Sequence, residues 1–155
     1  MSNKQTIKNL DELPGLGQKL LSNYPPPTIF LLHGHLGAGK TTFIQSLGSL
    51  LNIKERLTSP TFNLMNEYHV VWKEQKIKVI HMDCFRMKVD DTAPDIDFID
   101  EQNLPFYAFI EWPEKMRVDW REWGVPVISI DISIPDDDAV DNVSSTQRLI
   151  VWNEK

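Results

Sequence analysis

The chain has 155 residues, 41% of them hydrophobic and 25% charged, with a formal net charge of −6 at pH 7 and one cysteine, Cys84. That length suits a layered core around a sheet, so a single domain over residues 1–155 is expected. One cysteine excludes an internal disulfide, no apolar stretch reaches the length of a membrane span, and the acidic balance argues against direct gripping of nucleic acid, so any RNA is to be met through a partner. The polar start Met1-Ser2-Asn3-Lys4 does not read as a signal peptide, and together with the lone cysteine it points to a reducing cytoplasm.

In chain order, Ile7 to Leu10 reads as a short edge strand. Asp11 to Asn23 reads as a helix with Leu13, Leu16, Leu20 and Leu21 on one face and Asp11 as its cap. Pro25-Pro26-Pro27 ends it, and Thr28 to Leu32 is a short apolar run suited to a buried strand. After a glycine-rich loop, Phe43, Ile44, Leu47, Leu50 and Leu51 recur at helical spacing. Leu57 to Thr61 is a polar connection. Phe62 to Trp72 and Ile77 to Met82 form an antiparallel hairpin across the polar turn Lys73-Glu74-Gln75-Lys76. Asp90 to Asn103 is acidic and ambiguous, with room for one helical turn. Tyr107 to Ile110 is another apolar strand, and Val125 to Ile134 alternates strongly and pairs with Gln147 to Trp152. This is an α/β pattern with a mixed sheet, parallel near the loop and antiparallel at the hairpin and the C-terminal end.

The loop between the first core strand and its helix reads Gly34-His35-Leu36-Gly37-Ala38-Gly39-Lys40-Thr41, a full match to G-x-x-x-x-G-K-[ST]. Gly34, Gly37 and Gly39 let backbone N–H groups turn inward around phosphate oxygens, with Ala38 and Thr42 in the same run. Lys40 brings a cation to the β- and γ-phosphates, Thr41 a hydroxyl for Mg²⁺, and the following helix the positive end of its dipole. Strand, glycine loop and helix in this order predict a P-loop NTPase-like three-layer sandwich.

Two further apolar strands run into carboxylates, Asp83 and Glu111, and in such sheets the strand C-terminal ends open on the ligand crevice. One carboxylate there serves the metal and the other orients an attacking water. Ser59-Pro60-Thr61 lies where a γ-phosphate-sensing segment is often placed, although Ser-Pro is also a common turn. Trp112 suits rim packing or stacking on a base, and Arg86 suits a phosphate or a surface carboxylate. His33, His35, His69 and His81 show no metal-ligand spacing with Cys84, so no zinc site is expected. Trp120 and Trp123 are packing residues. No N-K-x-D motif reads guanine, and no arginine-rich lid marks a small-molecule kinase.

The segments G-H-L-G-A-G-K-T-T-F, T-S-P-T-F, H-M-D-C-F-R and I-E-W-P-E-K together resemble the bacterial TsaE family, from about Leu10 to Lys115. The resemblance implies an ATPase of tRNA threonylcarbamoyladenosine biosynthesis, weak alone, that works with TsaB-like and TsaD-like partner proteins. These attach threonylcarbamoyl to the adenosine next to the anticodon. It implies ATP and Mg²⁺ as ligands. Lys40, Thr41 and Thr42 would lie on the nucleotide, Ser59, Pro60 and Thr61 on a switch-like segment, Asp83 and Glu111 near metal and γ-phosphate, and Trp112 beside the nucleotide. Gly17 matches a glycine near the base. The chain departs from the family at His35, where Asp is usual, and over Asp90 to Gln102, which lacks the usual Glu-Glu-Leu run and glycine. The alternatives are a nucleotide-dependent scaffold that does not hydrolyse, and a small-molecule kinase.

Overall fold

The structure, a computed structural model, describes residues 1–60, 63–88, 97–98, 102–135 and 146–155. Among these, β1 (Asn3–Ile7), α1 (Leu13–Asn23), β2 (Thr28–His33), α2 (Lys40–Leu50), β3 (Met65–Trp72), β4 (Gln75–Asp83), β5 (Phe106–Glu111), β6 (Val127–Ser133) and β7 (Arg148–Glu154) form one α/β unit with three short 3₁₀ turns. The strands make a seven-stranded sheet in the order β1-β7-β6-β2-β5-β4-β3. β6, β2, β5 and β4 run parallel, while β3 pairs antiparallel to β4, and β7 antiparallel to both β6 and β1. The mixed sheet expected from the alternation pattern is the one observed.

Burial explains why the central strands read as unbroken apolar runs. β2 and β5 are covered on both faces, so neither face needs polar residues. On one face, Phe30, Leu32, Val79, Tyr107 and Phe109 pack under α1 and α2, which contribute Leu16, Leu20, Phe43, Ile44 and Leu47. On the other, Ile29, Leu31, Ile80, Ala108 and Ile110 pack under Phe98, Met116 and the turn Trp120–Trp123. Both α-helices therefore lie on one side, and the third layer is built from irregular chain stapled by aromatic contacts. Trp120 and Trp123 stack with ring centroids 5.8 Å apart, and Phe98 sits 5.0 Å from Trp123. Their expected role in packing holds.

Several boundaries differ from the sequence expectation. The edge strand is Asn3–Ile7 rather than Ile7 to Leu10: it is a polar stretch recruited by backbone pairing to β7, while Leu10 ends up 64% exposed. Asp11 does not cap α1. A 3₁₀ turn at Leu10–Glu12 comes first, the Asn9 side chain accepts the Asp11 amide, and Pro14, which has no N–H to lose, opens α1. The hairpin turn is only Lys73-Glu74, both at positive φ (48° and 66°), so β4 starts at Gln75. The strand expected from Phe62 starts at Met65, and Phe62 lies outside the described residues. So does most of Asp90 to Asn103, including any helical turn there.

α1 and α2 approach closely at Gly17, which is buried. A Cβ there would stand 2.8 Å from Leu50 Cδ1 and 3.1 Å from Leu47 Cδ2. Gly17 is thus seated at the helix–helix contact.

Candidate active site

Strand alternation decides which side chains meet the loop. In β4, Ile77, Val79, His81 and Asp83 share the face toward the helices, and in β5 Tyr107, Phe109 and Glu111 do the same. Asp83 and Glu111 are register partners at the ends of adjacent parallel strands. β2, on the other side of β5, ends in the loop that feeds α2, so both acids face the first turn of that helix. α2 begins at Lys40 with Gly39 as its N-cap (φ 108°) and has no side-chain cap, which leaves its first amide donors without a side-chain acceptor.

The loop is held from two sides. Gly34 (φ 148°) sits so near Ile132 that a Cβ would lie 2.5 Å from its carbonyl oxygen. Arg148 Nε on β7 donates to the Ala38 carbonyl at 2.7 Å, tying the loop to the far end of the chain. Lys40 is only 5% exposed, and its Nζ donates to the carbonyls of Gly34 (2.7 Å) and His35 (3.0 Å). Burial lowers the Lys40 pKa from its ordinary value, opposed by the nearby charges of Glu111, Glu114 and Asp83.

Around Thr41 the polar groups converge. Its hydroxyl donates to Glu111 Oε1 at 2.7 Å and lies 3.3 Å from Ser59 Oγ, which stands 3.5 Å from Glu111 Oε2. Ser59 is brought there because the Gln45 amide on α2 donates to the Leu57 carbonyl at 2.8 Å, and Leu57 packs over Gly48. Glu111 is 2% exposed, and its Oε2 is also 2.7 Å from Nε2 of the fully buried His81. Asp83 is partly exposed, its Oδ1 accepting the Phe85 amide at 3.0 Å. Trp112 follows Glu111 at positive φ (56°), 5.0 Å from Phe85 ring to ring. Beyond it Glu114 reaches back to His33 Nδ1 at 3.1 Å, fastening this turn to the end of β2.

Leu36, Gly37, Gly39, Lys40, Thr41, Thr42, Ser59, Asp83, Phe85, Glu111 and Trp112 thereby line one open cleft of about 260 Å³. Of the residues expected at the site, Gly34 and Pro60 do not line the cleft, Ala38 is buried behind the loop, and Thr61 lies outside the described residues. Arg86 is exposed and does not line it. A second cavity of about 220 Å³ adjoins the loop on the β7 side, walled by Ile7, Leu10, Leu13, Phe43, Ile132 and Ile150. Sequence reasoning missed two contacts. His81 had a usable signal, since it is two residues before Asp83 and must share its face; Arg148 had none, because its partner is distant in sequence.

A model of the family described as threonylcarbamoyl adenosine biosynthesis protein TsaE matches residues 7–143. The chain belongs to the TsaE family. It is 38% identical over 114 residues to the tRNA threonylcarbamoyladenosine biosynthesis protein TsaE of Synechocystis sp., a span covering 71% of this chain and 69% of that one. Identity to the protein of the same name from Nostoc sp. is 36% over 119 residues, or 75% and 67% of the two chains. The fold is similar to that in a crystal structure of Bacillus subtilis YdiB, with a TM-score of 0.61 and 23% identity over 98% of this chain and 84% of that one.

Proposed function

We propose that the chain binds Mg²⁺–ATP in this cleft and hydrolyses it slowly, using the cycle to assemble or reset the complex that attaches threonylcarbamoyl to the adenosine next to the anticodon of tRNA. The observation that carries the reading is the convergence on the Glu111 carboxylate of the Ser59 hydroxyl and that of Thr41, the residue after the loop lysine. Family membership supports the pathway.

The residues fit a triphosphate and its metal. Positive φ at Gly34, Gly37 and Gly39 shapes the loop, and a Cβ at Gly37 would meet nothing within 4 Å, so the cradle is open there. A nearly desolvated Lys40 ammonium gains most from an anionic neighbour. Among the described residues no group of three or more His, Cys, Asp or Glu is placed to hold a metal alone. Mg²⁺ takes few protein ligands and shares the rest with phosphates and water. Thr41, Asp83 and Glu111 would hold it, and when bound it supplies charge neutralisation for phosphoryl transfer. Lys40 and the α2 amides bind and orient the phosphates, Ser59 and Thr41 place hydroxyls at their edge, and Glu111 orients the attacking water. The apolar cavity beside Gly37 and Gly39 takes the nucleoside, with Trp112 closing the opposite, phosphate-side rim.

The partners are a TsaB-like and a TsaD-like protein, and tRNA is met through them, as the net charge of −6 favours. A cytoplasmic location follows from that pathway, and among the described residues no helix is long and apolar enough to cross a membrane. Phosphate release from labelled ATP, alone and with both partners, tests the proposal together with multi-turnover tRNA modification. Slow release that the partners accelerate, and loss of repeated rounds in Lys40→Ala, are expected. Repeated rounds by Lys40→Ala would overturn it, and labelled phosphate on a small acceptor would return the kinase alternative.

A further inference from the structure

Among the described residues the His81 ring makes one hydrogen bond, and it goes to the acid at the centre of the cleft. Its Nε2 lies 2.7 Å from Glu111 Oε2, with His81 wholly buried and Glu111 2% exposed. The other ring nitrogen, Nδ1, is buried and has no partner among the described residues. This decides the tautomer. A proton on Nδ1 alone would bury an unpaired donor and set the Nε2 lone pair against a carboxylate oxygen, two costs that a proton on Nε2 avoids. His81 therefore donates to Glu111. The carboxylate is gripped at both oxygens, by the sheet through His81 at Oε2 and by helix α2 through Thr41 at Oε1.

The two grips differ in permanence. The Thr41 hydroxyl is part-buried at the cleft and rotates about one bond, so it is free to turn toward another ligand. The imidazole is locked in the core between β3 and β5, with Asn66 and Phe109 as its register neighbours. We propose that His81 is a positioning residue for the reaction: by holding Oε2 it keeps Oε1 of Glu111 aimed into the cleft once Thr41 lets go. Wholly buried behind Glu111, it acts only through that carboxylate. The inference rests on the hydrolysis reading above, and it adds a residue to that mechanism.

Replacing His81 by Phe keeps a flat aromatic ring, slightly larger, and removes the donor, whereas His81→Gln keeps an amide donor near the position of Nε2. Groups that orient such acids from behind are worth about 10–100-fold when removed. His81→Phe should lower kcat by about that factor while KM and metal-free nucleotide affinity change little, and His81→Gln should recover most of the loss. A ¹⁵N spectrum of the nucleotide-free protein should show His81 protonated at Nε2, with that signal moving in Glu111→Ala. Unchanged kcat in His81→Phe, or loss in His81→Gln equal to that in His81→Phe with a parallel fall in melting temperature, would overturn the inference. So would an Nδ1-protonated ring. A wild-type protein inert toward ATP even with its partners would instead sink the hydrolysis reading itself.

Discussion

The ammonium of Lys40 lies 4.1 Å above the ring centroid of Trp112. Trp112 reaches that place because its backbone takes a left-handed conformation that non-glycine residues adopt at a cost. A largely desolvated cation–π contact of this kind is worth about 1–2 kcal/mol. The lysine is thus held by two loop carbonyls and a ring, all of which a phosphate bound as proposed would compete with. Nucleotide binding should therefore change tryptophan emission, and the change should vanish in Trp112→Phe although four of the five tryptophans remain. An undiminished change in that variant would mean that the ammonium does not leave the ring.

On the proposed hydrolysis, Glu111 should separate binding from chemistry. In Glu111→Gln the side-chain oxygen still accepts one of the two bonds from His81 and Thr41, so nucleotide affinity should stay within about threefold, while an acid or base worth about 10²–10⁴-fold is lost. Phosphate release set against equilibrium binding measures both. Lys40→Ala should show the opposite emphasis, with binding itself lost.

Two glycines should differ in what they tolerate. At Gly34 a methyl group would meet the Ile132 carbonyl at 2.5 Å with φ at 148°, and neither the backbone nor the dihedral can yield cheaply. Gly34→Ala should cost about 2–4 kcal/mol. At Gly17 the obstacles are the ends of the Leu50 and Leu47 side chains and the backbone is already helical, so Gly17→Ala should cost about 1 kcal/mol or less. Denaturant midpoints would test the ordering, and a Gly17→Ala effect equal to that of Gly34→Ala would contradict it.

The β3–β4 hairpin turns on Lys73 and Glu74, both at positive φ. Such a two-residue turn favours glycine at its second position. Glu74→Gly should stabilise the protein by about 0.5–1 kcal/mol, seen as a higher urea midpoint at unchanged slope, while leaving ATP turnover alone.

Alkaline pH should weaken the fold. Burial raises the Tyr107 phenol above its ordinary 10.0, where its hydroxyl donates to the Leu21 carbonyl at 3.2 Å, and pushes the Cys84 thiol from 9.0 up to about 12, with Asp83, Glu114 and Glu111 adding to the latter. Both groups ionise earlier in the unfolded chain than in the folded one. Their contribution is therefore whole below about pH 9 and is lost as pH rises through 9 to 12. Melting temperature should be flat to about pH 9 and then fall, and Tyr107→Phe should fall less steeply above pH 10. A steeper fall in that variant would refute the assignment.

What the sequence determined by itself was local. Glycines at fixed offsets before Lys40 and Thr41 can be read without neighbours, because the loop makes its own contacts within a few residues. Unbroken apolar runs marked β2 and β5, because a strand covered on both faces has no use for polar residues, and Asp83 and Glu111 were legible as the residues at which β4 and β5 stop. The boundaries that slipped were set by pairing rather than composition: Asn3–Ile7 is a strand because β7 offers it a ladder, not because Asn-Lys-Gln-Thr favours one. Only the tertiary structure could set Ser59 beside Thr41, Arg148 against Ala38 across 110 residues, and His81 behind Glu111 across 30. Each of these depends on strand order and on the register between β4 and β5, and a register shift of one residue would turn His81 and Asp83 away from α2. The glycine loop is thus written in consecutive residues, while the geometry that holds Glu111 in place exists only once the sheet has formed.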